Sequence, residues 1–332
     1  MLRPPLMRAA SLPEFGPPER LVVSDVPEPS PGPDQLVVDV HACGVNFPDV
    51  LMVQDLYQFR PDLPYTPGGE VAGTVVAMDH GVQGWAIGDR VLAAATTGGF
   101  AEQVAVDVVQ AHHLPDSIDL TTAAGLQTTY GTSLHALRDR GALEPGETLL
   151  VLGAAGGVGM AAVELGALMG AHVIAAASSG PKLAACRRAG AAETVDYTAV
   201  DLKSWLKEHT DGRGVDVVYD PVGGDLSEAA LRATAWQGRF LVIGFATGTI
   251  PRIPLNLPLL KGCSIVGVFY GEFGARQPHQ RHALIEELIV MLAQGSVNPV
   301  VTAQYPLERA ADALRELMDR RIVGKAVVLP HA

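Results

Sequence analysis

Thr148-Leu-Leu-Val-Leu152 runs into Gly153-Ala-Ala-Gly-Gly-Val-Gly159, and an apolar stretch follows to Met169 before a second run, His172–Ala177. An uncharged run that meets a cluster of glycines and then continues apolar reads as strand, tight turn and buried helix. Glycines at such a turn let backbone amides approach a pyrophosphate lying on the helix N-terminus. The match to G-x-G-x-x-G is incomplete: Ala154 occupies the first glycine position, with Gly156 and Gly159 at the others. Its strand–turn–helix–strand setting favours a dinucleotide cradle over a bland glycine-rich turn. The same stretch imitates a membrane span, since Leu149–Ala177 holds only Glu164 and His172 as strongly polar residues. Its clustered glycines argue against lipid, so no membrane segment is expected.

Outward from this turn the alternation continues. Pro181–Ala189 reads as a helix, Glu193–Asp196 as a short strand and Asp201–His209 as a helix. Val215–Tyr219, Arg239–Ile243 and Ser264–Val268 read as strands, with a helix over Ser227–Ala235. Apolar strands alternating with helices predict parallel βαβ units with helices on both sheet faces. The first third has another rhythm. Leu21–Val26, Gln35–Val40, Val71–Asp79, Arg90–Ala94 and Phe100–Val106 are Val-rich runs bounded by turn residues, and Pro27–Pro33 is too proline-dense for a central strand. That spacing predicts a sandwich or open barrel. Leu120–Leu137 reads as one helix leading into the α/β region. His279–Gln294 and Leu307–Arg321 read as amphipathic helices before a closing strand, Lys325–Leu329.

The 332 residues suggest about two domains. With 48% apolar and 18% charged residues, the chain has material for a packed interior, which excludes disorder. A net charge of −12 repels phosphate backbones, so no nucleic-acid partner is expected. Cys43, Cys186 and Cys263 offer neither a disulfide framework nor a zinc knuckle, and Met1–Pro18 lacks a signal-peptide core, so the expected compartment is the cytoplasm. There is no HExxH, no GxSxG and no Cys/His spacing for a metal. His112 and His113 are adjacent, so on a strand they would point to opposite faces and not readily share a metal ion. His135 and His172 read as packing or surface residues.

About twenty residues beyond the glycines, NAD-dependent enzymes place a carboxylate against the ribose 2′-hydroxyl. Here the strand ends in Ser178, Ser179 and Gly180, Lys182 follows, and no acid occurs before Glu193. A missing carboxylate beside a cation suits a 2′-phosphate, so NADPH is the expected cofactor. The alternative is an ordinary helix-surface lysine.

Several motifs then point one way together: His41-Ala-Cys-Gly-Val-Asn-Phe-Pro-Asp49, Pro67-Gly-Gly-Glu-Val-Ala-Gly73, Gly88-Asp-Arg-Val91, Gly153–Gly159, Val217-Val-Tyr-Asp220 and Gly324-Lys325. The chain resembles the medium-chain dehydrogenase/reductase superfamily, in its zinc-free quinone oxidoreductase (ζ-crystallin-like) branch. The resemblance implies an α/β fold in which a doubly wound Rossmann sheet, residues 128–270, is inserted into a GroES-like β-barrel-type domain, residues 1–127 plus 271–332. It implies cofactor and acceptor meeting in the cleft between them. Zinc-dependent relatives carry a ligand Cys where this chain has Asn46 and a His where it has Gly69, and the structural-zinc cysteines are missing before Gly98. No metal is therefore expected.

Without a Lewis acid, what remains feasible is hydride transfer from NADPH to a quinone. The alternatives are reduction of activated C=C bonds in enones, 2-alkenals, haloacrylates or enoyl-CoA thioesters, with Tyr57 or Tyr130 as proton donor, or a non-catalytic, crystallin-like NADPH-binding protein. By resemblance, Asn46 and Tyr57 line the acceptor site, with Leu51 where relatives often carry a tyrosine at the cofactor, and Thr128 approaches the nicotinamide. Ala155, Gly156, Gly157 and Val158 hold the pyrophosphate. Ser178, Lys182 and Tyr197 surround the 2′-phosphate. Gly244, Phe245, Ala246, Val268, Phe269 and Tyr270 flank the ribose and carboxamide. Pairing of sheets through Ser264–Val268 implies a homodimer.

Overall fold

In the computed structural model, which describes residues 5–332, the chain forms two compact units. One comprises the residues up to Thr128 together with Pro278–Ala332, and the other is Thr129–Gln277.

In the first unit the strands are β1 (Leu6–Ser11), β2 (Val22–Pro27), β3 (Gln35–Gly44), β4 (Glu70–Met78), β5 (Arg90–Ala94), β6 (Gln103–Asp107) and β7 (Ala111–His113). Helices α1 (Phe47–Val53) and α2 (Leu120–Ala123) accompany them. The second unit holds α3 (Gln127–Leu134, straddling the boundary), β8 (Thr148–Val151), α4 (Gly157–Leu168), β9 (His172–Ala177), α5 (Gly180–Arg188), β10 (Glu193–Asp196), α6 (Leu202–His209), β11 (Val215–Asp220), α7 (Asp225–Arg232), β12 (Thr234–Val242), α8 (Asn256–Lys261), β13 (Ser264–Gly267) and α9 (Tyr270–Arg276). The chain then returns to the first unit as α10 (Pro278–Ala293), β14 (Val301–Pro306), α11 (Ala310–Met318) and β15 (Lys325–Leu329).

The six strands of the second unit are all parallel and lie in the order β10-β9-β8-β11-β12-β13. The order reverses direction between β8 and β11, which is where a doubly wound sheet opens a crevice at its C-terminal edge. Burial explains why the alternation was readable. Every residue of β8 and all but the first of β9 are buried, as strands covered on both faces require.

The first unit is a seven-stranded sheet running β14-β15-β3-β4-β5-β7, with β6 on the other part of β3 and a separate β1–β2 hairpin. Two register shifts against β4 bend β3, so its halves serve different neighbours. The core gathers residues from both chain ends, among them Leu36, Val38, Phe100, Leu314 and Val328.

Three readings are corrected here. The expected single helix Leu120–Leu137 is broken near Gly125 into α2 and α3, and continues beyond Leu134 as a wider turn, His135–Arg140. Asp119 caps α2 by accepting from the Thr122 N–H at 2.8 Å. Leu307–Arg321 is one turn of 3₁₀ helix followed by the shorter α11. α1 begins inside the motif His41–Asp49, for which no element was predicted. At the first turn of a helix proline loses no hydrogen bond, so it fits there. No described helix is long and apolar enough to cross a membrane.

Candidate active site

The cradle after β8 is built from backbone. Gly153 has φ +56°, and Gly159 packs so closely that a Cβ would lie 2.4 Å from the Gly153 carbonyl oxygen. The turn therefore needs glycine at both places. Gly156 is the N-cap of α4 and has no side chain to satisfy the first helical amides. A Cβ there would meet only the Gly153 oxygen at 3.5 Å, leaving the approach to Gly157 and Val158 open for an anion.

The end of β9 gathers three of the expected residues. Lys182 Nζ, on α5, donates to Ser178 Oγ at 3.4 Å, four residues back and just ahead of the helix. β10 pairs with β9 so that Asp196 faces Ala177, and the Tyr197 N–H bonds the Ala177 carbonyl at 3.3 Å. Ser178, Lys182 and Tyr197 thus cluster at adjacent strand ends, all half-buried. The neighbouring Asp196 carboxylate is engaged by Thr198, whose N–H and hydroxyl both donate to Oδ1, at 2.9 and 2.6 Å.

Further along the same edge, the buried Asp220 holds the turn after β11. Its Oδ1 accepts from the Val222 and Gly223 N–H groups at 2.8 and 3.0 Å, and its Oδ2 from Ser227 Oγ at 2.5 Å. That turn in turn fixes Gly244–Ala246, since the Ala246 N–H bonds Pro221 O and the Thr247 N–H bonds Val222 O. Val268 extends β13 by bonding Val242 O, while Phe269 is half exposed at the start of α9 and Tyr270 packs near His135 and Phe273. The candidate cofactor residues of this unit therefore all follow C-terminal ends of its parallel strands.

In the first unit, Asn46, Glu70 and Lys325 form a buried polar knot. Lys325 Nζ donates to Asn46 Oδ1 at 2.5 Å and to Glu70 Oε2 at 3.1 Å. Asn46 Nδ2 donates to the same Glu70 oxygen at 3.0 Å and to Gly44 O at 3.2 Å. The Thr128 N–H occupies the other Glu70 oxygen at 3.0 Å. Next to this knot the Asp49 carboxylate accepts from the N–H groups of Asn46 (2.8 Å) and Gly68 (3.3 Å). Burial nevertheless pushes its pKa up to about 6, the two amides and Lys325 only partly opposing it. Tyr57 is half-buried against the same core. Desolvation raises its pKa, and Asp49 adds to the effect, so the phenol keeps its proton. Leu51 is half-buried on α1.

Sequence reasoning missed Glu70 and Lys325 as a pair because 255 residues separate them. Their motifs were visible but their contact was not. Gln127 was missed too: it is buried, with neither amide atom hydrogen-bonded, immediately before Thr128. Tyr130 is corrected as a proton-donor candidate. It is buried within the second unit and donates to Glu164 Oε2 at 2.5 Å, and burial with that carboxylate raises its pKa far above the ordinary phenol value.

Residues 32–116 match the family "Alcohol dehydrogenase GroES-like domain", and residues 157–289 match "Zinc-binding dehydrogenase". A "Quinone oxidoreductase-like protein 2 homolog" of Nematostella vectensis is 37% identical over 325 residues, covering 97% of this chain and 88% of that protein. The "Quinone oxidoreductase" of Pseudomonas aeruginosa is 34% identical over 318 residues, covering 95% of this chain and 97% of its own length. The chain belongs to the zinc-free quinone oxidoreductase-like branch of the medium-chain dehydrogenase/reductase superfamily. Escherichia coli quinone oxidoreductase, solved in complex with NADPH, superposes with a TM-score of 0.90 at 28% identity, covering 98% of this chain and 99% of the other. The parallel sheet and the GroES-like unit are those of this superfamily of oxidoreductases.

Proposed function

We propose that this protein is a zinc-independent NADPH:quinone oxidoreductase. The observation that carries the reading is the Asn46–Glu70–Lys325 knot. The ammonium of Lys325 lies against the side chain that stands where zinc-dependent relatives carry a ligand cysteine, and a divalent cation beside it would be repelled. At Gly69, the position of the relatives' histidine, even a Cβ would come within 3.2 Å of the Ala95 carbonyl oxygen. The Lys182–Ser178 contact supports a 2′-phosphorylated cofactor, as do structural neighbours solved with NADPH.

The backbone of 155–158 would hold the pyrophosphate, and Ser178, Lys182 and Tyr197 the 2′-phosphate. Gly244, Phe245, Ala246, Val268, Phe269 and Tyr270 would flank the ribose and carboxamide. Asn46 and Tyr57 would line the acceptor end, with Leu51 and Thr128 at the nicotinamide. When bound, the reduced nicotinamide supplies a hydride, and one proton completes the reduction of a quinone to a hydroquinone. Tyr57, held protonated, can donate a hydrogen bond to an acceptor oxygen. The exposed apolar residues Trp236, Leu255, Leu259 and Leu260 near the β13 edge support association into a homodimer.

The test is loss of 340 nm absorbance in chelator-dialysed protein, with 9,10-phenanthrenequinone, an alkenal and crotonyl-CoA offered in turn. Turnover of the quinone with NADPH is expected. Turnover confined to the alkenal or thioester would replace the quinone assignment, and NADPH binding with no turnover of any acceptor would make this a binding protein.

A further inference from the structure

Away from these residues, the first unit brings together three groups that no sequence spacing relates. His112 lies on β7, and His282 and Glu286 stand one turn apart on α10. His112 Nδ1 and Glu286 Oε1 are 2.6 Å apart, and His282 Nε2 lies 3.8 Å from the same oxygen. The two imidazoles stack with centroids 4.3 Å apart, and one ligand atom from each of the three residues falls within 4.8 Å of the others. The alternation expected of adjacent histidines operates here. His113 faces the other way, stacked on Trp85 and bonded to Gly84 O, which leaves His112 alone on the inner face.

We propose that His112, His282 and Glu286 form a binding site for a divalent first-row transition cation, zinc above all, that ties α10 to the edge strand β7. Two imidazoles and a carboxylate are a donor set such cations accept, with water completing a tetrahedron. The ligand atoms lie between 2.6 Å and 4.8 Å apart, against about 3.4 Å across a tetrahedral site with bonds of about 2.1 Å, so side-chain rotations on α10 are needed to close the site. His112 is buried, which keeps its imidazole neutral with a lone pair available, while the half-exposed His282 and Glu286 leave an entry path from solvent. Ligation through Nδ1 uses the neutral tautomer with its proton on Nε2, so the hydrogen bond between His112 and Glu286 is exchanged for a bond from each to the ion. Arg281, held against Gln110 Oε1, is a positive charge whose field reaches His112 and opposes cation binding. This cation would be structural. It lies on different residues from the Asn46 knot and is independent of the zinc-free chemistry proposed there.

The experiment is titration of tag-free, chelator-treated full-length protein with Zn2+ by calorimetry, paired with thermal unfolding with and without the ion. One Zn2+ per chain and a raised unfolding midpoint are expected. His282→Ala and Glu286→Gln, both at half-exposed helix positions, should each weaken binding by at least the roughly 10- to 100-fold that loss of even an outer partner of a ligand costs. They should abolish the thermal shift, measured for each variant against its own metal-free midpoint, while leaving quinone turnover unchanged. Co2+ should give ligand-field absorption in the wild type that both variants lose. Failure of the wild type to take up Zn2+, or uptake that survives both substitutions, overturns the assignment.

Discussion

Two lysines stand at strand ends in the two units, and their surroundings give them opposite uses. Lys325, at the start of β15, is 4% exposed and lies against a carboxylate and a carboxamide oxygen. Lys182, on the first turn of α5, is half-buried beside a hydroxyl. A buried ammonium is tolerated only when partners replace its water, so Lys325 is bound to the fold that surrounds it. A lysine still in touch with solvent can exchange water for a phosphate at little cost to the fold, so Lys182 is suited to an incoming ligand. Burial, more than residue type, separates a charge tied into the fold from one that is open to an incoming ligand.

The largest effect should come from breaking the buried pair. Lys325→Met leaves Glu70 charged in the interior and should cost about 3–5 kcal/mol of stability in urea unfolding. Adding Glu70→Gln should recover part of it, since the two sites share a contact. A loss below about 1 kcal/mol for the single substitution would put Lys325 in the same class as Lys182.

Asp49 sharpens the same side of the comparison through pH. Its folded pKa of about 6 lies above the unfolded value of about 3.9. Between those values the native state holds a proton that the unfolded state has released, so stability is highest at low pH and falls as pH rises through 6. The contribution lost is about 3 kcal/mol at most. Denaturant midpoints measured from pH 4 to pH 7 should show this decline in the wild type, and Asp49→Asn should flatten it.

A smaller and more specific effect is expected at Lys182. A charge-assisted contact contributes about 1.5–3 kcal/mol, or roughly 10- to 150-fold in affinity. Lys182→Ala should raise the KM for NADPH by that order and leave NADH and the unfolding midpoint nearly unchanged. Ser178→Asp should reverse the preference by placing a carboxylate where a ribose hydroxyl fits and a phosphate does not. Equal weakening toward both cofactors would make Lys182 structural and remove the contrast.

The second unit was legible because its physics is local. Strands buried on both faces are apolar throughout, each is followed by its helix, and the bounds of β9 and β10 came out as read. The first unit was legible only as β. β1, β7 and β14 were not read, because short or edge strands with partly exposed residues carry no run of buried side chains. The strand order β14-β15-β3-β4 joins segments hundreds of residues apart, which periodicity does not encode. The same holds for the site. Ser178 and Lys182 lie within one strand–helix step and could be reasoned out, with Tyr197 supplied by the resemblance, whereas the meeting of Asn46 with Lys325, or of His112 with Glu286, depends on how the sheet closes.

That closure sets an order of events during synthesis. β3 and Glu70 leave the ribosome early, but their partner β15 and its lysine follow only after the 149 residues from Thr129 to Gln277 have been made. With 255 residues between Glu70 and Lys325, at about 5–20 residues per second this is a wait of roughly 13–51 s. The inserted unit, whose sheet pairs only with itself, can complete its folding within that interval. The enclosing unit stays open on one side of β3 throughout, with Glu70 lacking the ammonium that satisfies it. The nascent chain is therefore most open to misassembly in the strands made before the inserted unit, which wait longest for their partners.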